Sequence, residues 1–144
     1  MKKIFLILLI CTAFACKKSE VDGSDITRYS WPLVSATVSP AMVINGKAET
    51  NFKTMAGPSG CLNNNYTLSF SKDGSYAFTS NGPLCDMISY QNSTWTKSGN
   101  EITLSDGLGH DTKVTLSGNS ITQKYVFEQN GTTHTVTYLY TAKK

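Results

Sequence analysis

Strict two-residue alternation of aromatic and hydroxyl side chains restricts most of this chain to half-buried β-strand. Tyr66, Leu68 and Phe70 alternate with Thr67, Ser69 and Ser71; beyond the turn Lys72-Asp73-Gly74, Tyr76 and Phe78 alternate with Ser75, Ala77 and Thr79. Successive strand side chains point to opposite faces, so the four rings and Leu68 share one apolar face while hydroxyls cover the other. Rings of this size bury large areas and dominate a small core.

The same pattern recurs at short spacing. Trp31 and Leu33 begin a first strand, with Ser35 on their side and Pro32, Val34 and Ala36 on the other; Pro32, which has no amide donor, belongs at a strand start or edge. Met42-Val43-Ile44 runs into Asn45-Gly46, a strong two-residue hairpin signal, with a return leg from Thr50 to Phe52. Thr94-Trp95-Thr96, Ile102 with Leu104, and Val114 with Leu116 follow, separated by Gly-containing turns. Two longer strands end the chain, joined by Gln129-Asn130-Gly131: Ile121, Gln123, Tyr125 and Phe127, then His134, Val136, Tyr138 and Tyr140. Past the first segment no stretch has a helical period. Short strands with turns about every ten residues predict an all-β fold, a single antiparallel meander barrel of about eight to ten strands. Closure removes the exposed edges that Thr-rich strands otherwise offer to neighbours.

The first segment has a different grammar. Lys2 and Lys3 precede the apolar run Ile4 to Ile10, and Ala13-Phe14-Ala15 stands directly before Cys16. A cationic start, a short apolar run and small residues are the three parts of an export signal, and the run is too short to span a bilayer. Ala13-Phe14-Ala15 suits ordinary signal peptidase, while the following Cys16 resembles a lipobox and favours the lipoprotein route. Residues 1–15 are then removed, Cys16 is acylated, residues 16–27 form a polar tether, and residues 28–144 form the domain. Several acyl chains anchor stably where one binds reversibly. The absence of Asp after Cys16 points to the outer membrane.

With residues 1–15 gone, 144 less 15 leaves 129 residues, enough for one core. Loss of Lys2 and Lys3 reduces 13 basic residues to 11 against 10 acidic ones. With one arginine, Arg28, and scattered lysines, the chain lacks the clustered basic face of a nucleic-acid binder. Cys61 and Cys85 are the thiols left in an oxidising compartment, and the expectation is that they pair across the hairpin between them.

In order, Trp31 to Ser35, Cys61, the Phe70-x-x-Asp73-Gly74-x-Tyr76 hairpin, Cys85, Ser93 to Thr96 and Ile102 to Leu104 resemble the lipocalin-like domain of bacterial lipoproteins. The resemblance runs from about Ile26 to the C-terminus and implies a lipocalin-related barrel and an envelope location more than an activity. An eight-stranded barrel can hold one small apolar ligand or be filled by its own side chains. Tyr66, Leu68, Phe70, Tyr76, Phe78, Trp95, Tyr125, Phe127, Val136 and Tyr138 are the candidate lining; equally, they are a core. The alternative is an interaction lipoprotein that meets an envelope protein or glycan through its loops. No catalytic residue, cofactor or metal site is expected: His134 lies on an apolar row, and His110 with Asp111 and Asp106 falls short of the three or four ligands a metal needs.

Overall fold

The computed structural model describes residues 25–55, 60–82 and 92–144. They form nine strands: β1 (Ser30–Ile44), β2 (Lys47–Asn51), β3 (Thr67–Phe70), β4 (Tyr76–Thr79), β5 (Thr94–Ser98), β6 (Glu101–Ser105), β7 (Asp111–Ser117), β8 (Ser120–Gln129) and β9 (Thr132–Thr141). The described helical residues are confined to three 3-10 turns, Ile26–Arg28, Phe52–Thr54 and Gly60–Asn63.

All pairings between the named strands are antiparallel, in the order β4-β3-β1-β9-β8-β7-β6-β5, with β2 on the outer part of β1. The two ends of that path meet: Ser75 bridges Thr94, with Trp95 N donating to Gly74 O at 2.8 Å and Tyr76 N to Ser93 O at 3.3 Å. The sheet is therefore a nearly closed eight-stranded meander, and β2 is an appendage to it. The turns follow local chemistry. Asn45-Gly46 and Asn130-Gly131 both place two successive residues at positive φ, 50° and 77°, then 51° and 74°, the backbone that suits a two-residue hairpin between twisted strands.

Strand β1 is one continuous 15-residue element rather than two separate strands. It pairs successively with β3 from Ser30 to Pro32, with β9 from Leu33 to Ser39, and with β2 mainly from Met42 onward. A register shift between Leu33 and Ser35 reverses its alternation. Trp31 and Leu33 face inward as expected, but beyond the bulge Ala36 and Val38 are buried and Val34 is exposed, so the expected outward placement of Ala36 is corrected. A bulge adds one residue and so turns every later side chain to the other face. Lys53 Nζ donates to Leu33 O at 2.7 Å and to Val34 O at 3.3 Å, satisfying the carbonyls there.

The domain also begins earlier than residue 28. Ile26 is buried, Asp25 caps the Thr27 amide, and Arg28 pairs with Asp25 at 2.9 Å, so residues 25–27 belong to the folded unit and not to a tether.

Candidate functional site

The barrel interior is built from the inward rows of the eight barrel strands; β2, exposed throughout, contributes none. Trp31, Leu68, Ile102, Ile121, Val114, Val136 and Tyr140 are all essentially inaccessible. Their rings interlock: Trp31 meets Phe70 edge-on at 6.5 Å, Phe70 meets Trp95 edge-on at 5.3 Å, Tyr66 stacks on Phe78 at 5.0 Å, and Phe78 approaches Tyr140 at 6.4 Å. Burial raises the Tyr138 phenol to about 12 and the Tyr140 phenol further still. The Tyr140 hydroxyl keeps one polar partner, Gln123 Oε1, at 3.4 Å.

The ten candidate lining residues divide three ways. Tyr66, Leu68, Phe70, Tyr76 and Val136 are buried core residues, while Phe78, Trp95, Phe127 and Tyr138 are half-buried against that core. Tyr125 is 55% exposed and does not line the interior. Its row does face inward, opposite Val136, but the β7–β8 pairing ends at Gln123, so β8 has no β7 neighbour beside Tyr125 and alternation alone misplaced it. Cys16 and Cys85 lie outside the described residues, and with them the lipidation site and the expected pairing. Cys61 lies in the 3-10 turn Gly60–Asn63, half-buried against the core.

Strands β1 and β9 separate beyond the Ser39–Thr135 pair. Pro40 cannot donate to a ladder, so the β1-β2 hairpin and the β8-β9 hairpin diverge there as two prongs. Between them lies a cleft of about 290 Å³. His134 forms its floor, buried on the ladder's inner row. Its Nδ1 stands 3.0 Å from Pro40 O. A carbonyl only accepts, so Nδ1 carries the proton, and in the neutral ring Nε2 is the acceptor. Behind His134 runs an aromatic file: Phe127 stacks on it at 5.3 Å, Tyr125 stacks on Phe127 at 5.9 Å, and Phe52 contacts Phe127 at 6.3 Å and Tyr138 at 6.4 Å. Sequence reading placed His134 on an apolar row but missed this junction. The findable signal was Pro40, which interrupts the ladder in the middle of a long strand.

The other histidine organises a loop. Asp106 Oδ1 accepts from the amides of Leu108 at 2.7 Å and His110 at 3.1 Å, and Oδ2 meets His110 Nδ1 at 2.8 Å. The Leu108 amide first, and His110 after it, hold the Asp106 carboxyl below its ordinary value. Among the described residues no three His, Cys, Asp or Glu side chains gather as metal ligands. No family model matches the chain, and no curated protein or solved structure matches it either.

Proposed function

We propose that this chain is an exported, non-enzymatic lipoprotein, held to the outer membrane by acyl chains on Cys16, whose lipocalin-like barrel is filled by its own side chains and acts through its surface. One observation carries the reading: the rings and aliphatic side chains of the inner rows pack on one another across the barrel, from Trp31 through Phe70 to Trp95 and from Tyr66 through Phe78 to Tyr140. Interiors packed in this way leave few voids, and a ligand entering would have to displace side chains from their contacts. The lipid anchor is supported by the sequence from Lys2 to Cys16. The Cys61–Cys85 bridge belongs to the same reading: an exported chain meets an oxidising compartment.

The test is native mass spectrometry on the domain from Asp25 onward, folded without its anchor and exposed to a lipid extract of its host. The expected result is the bare protein mass. A discrete added mass that disappears on delipidation would instead establish a ligand-holding barrel. In cells, an alkyne-tagged fatty acid should label the wild-type chain and not Cys16→Ala.

A further inference from the structure

We propose that the cleft between the β1-β2 and β8-β9 hairpins is a binding site for one unit of a neutral saccharide. The proposal rests on the filled-barrel reading above, because it assigns recognition to the surface.

Three observations point to that ligand class. First, the two walls differ in character. Residues 40–43 on β1 supply an apolar wall, whereas Gln129, Asn130 and Thr132 supply amides and a hydroxyl opposite it. None of the residues lining the cleft is charged, so nothing there compensates an ionic ligand. A pyranose is a facial amphiphile, with C–H groups on one face and hydroxyls around its edge, and such walls suit it. Second, the floor is a nine-tenths-buried polar side chain whose orientation is fixed. His134 is 6% exposed, its Nδ1–H is committed to Pro40 O, and Nε2 is left to accept from a sugar hydroxyl. The stack on Phe127 holds the imidazole plane. Third, the size fits: about 290 Å³ is at the small end of ligand pockets, room for one ring.

Position separates this site from the end of β1 at which the described residues begin. Asp25 and Ser30 lie at the base of β1, and Ser30 pairs with Lys143 there; the cleft lies toward the far end of the strand. The ten residue steps from Ser30 to Pro40 extend about 33 Å.

The experiment is a ¹H–¹⁵N NMR titration of the folded domain from Asp25 onward with two neutral disaccharides, N,N′-diacetylchitobiose and maltose, and with sodium glucuronate as a charged control. The expected result is saturable shifts confined to residues 40–43 and 129–134 with at least one neutral sugar, at a dissociation constant of about 1 mM or tighter, and none with glucuronate. Ala41→Phe, at an exposed position beside the cleft, should abolish those shifts while the rest of the spectrum stays that of the folded domain. His134→Gln should weaken binding about tenfold or more, and Thr132→Ala provides the same reading if His134→Gln does not fold. No shift with either neutral sugar, shifts elsewhere, or shifts that survive Ala41→Phe overturn the proposal. Failure here with a bare mass in the lipid experiment sinks only the saccharide site. A lipid adduct with shifts at Leu68 and Ile102 sinks the filled-barrel reading instead.

Discussion

The indole N–H of Trp31 donates to the backbone carbonyl of Ile26 at 3.3 Å within the core. This bond ties the 3-10 turn Ile26–Arg28 back onto β1, and the turn packs against β3. Ile26 and Trp31 are both essentially inaccessible, so the N-terminal turn is part of the core. Trp31→Ala is expected to cost about 3–5 kcal/mol, the usual range for a large ring removed from a packed interior. Trp31→Phe keeps much of the apolar volume, loses the bond, and should cost less than the alanine variant. Urea titration at unchanged slope measures both.

Lys53 carries the bulge in β1. Its ammonium reaches the Leu33 and Val34 carbonyls, and a hydrogen bond to a charged group contributes more than a neutral one. Lys53→Met retains the stem and removes the donors, with an expected loss of about 1–2 kcal/mol. Hydrogen exchange should report it locally, as faster exchange of the Ser35 and Ala36 amides relative to those of β6 and β7.

Three carboxylates tie folding to acid. Asp25 is lowered chiefly by the Thr27 hydroxyl, Asp73 by the Ser75 hydroxyl, and Asp106 by the Leu108 amide, each below an ordinary 3.8. Near that pH the unfolded chain binds more protons than the folded one, so the stability these groups supply is complete above 3.8 and is lost as pH falls through the folded values. The urea midpoint should hold steady from about pH 7 to 5 and fall below about pH 4. Asp73→Asn and Asp106→Asn should each flatten that fall.

The fold was largely legible because strand alternation and Gly-containing turns are local signals. Tyr66 to Thr79 behaves as read: both strands form, and Leu68 pairs with Phe78 across them. What alternation cannot see is the length of a strand relative to the barrel it enters. Tyr125 and Ile121 belong to the same row of β8, yet Ile121 is buried and Tyr125 is in solvent. The same blindness hid the cleft. The splitting of β1 from β9 is a non-local event, and its lone local sign is a proline. Bulges are equally opaque, since Ala36 turns inward through a register shift two residues upstream. Tyr125→Ser, which removes a half-exposed ring stacked on Phe127, should therefore cost about 1 kcal/mol or less, whereas Leu68→Ala should cost about 2–5 kcal/mol.

Two phenols should resist base while the fold lasts. Burial pushes Tyr138 up to about 12 and Tyr140 further in the same direction. Tyrosine is charged when deprotonated, so between the unfolded value near 10 and the folded value the native chain holds more protons than the unfolded one. Stability is fully present below pH 10 and declines as pH rises beyond it. Ultraviolet titration of tyrosinate should leave Tyr138 and Tyr140 silent at pH 10.5 until the protein unfolds. Tyr138→Phe should remove one silent phenol without lowering the stability.

Cys61 gives the last test its form. It sits beside the buried Leu62 in a turn packed against the 3-10 turn Phe52–Thr54, immediately before β3, so a bridge to Cys85 would pin the entry of the β3-β4 hairpin to the segment leaving it. Closing a loop of this length is expected to contribute about 3 kcal/mol, mainly by restricting the unfolded chain. Cys61→Ser, Cys85→Ser and the double variant should therefore lose nearly the same stability, since either single change opens the whole loop. Thiol titration of the domain from Asp25 onward in denaturant should find no free thiol in the wild type and one in each single variant. Two free thiols in the wild type, with no difference between reduced and untreated protein in urea, would remove the bridge from the account of this fold.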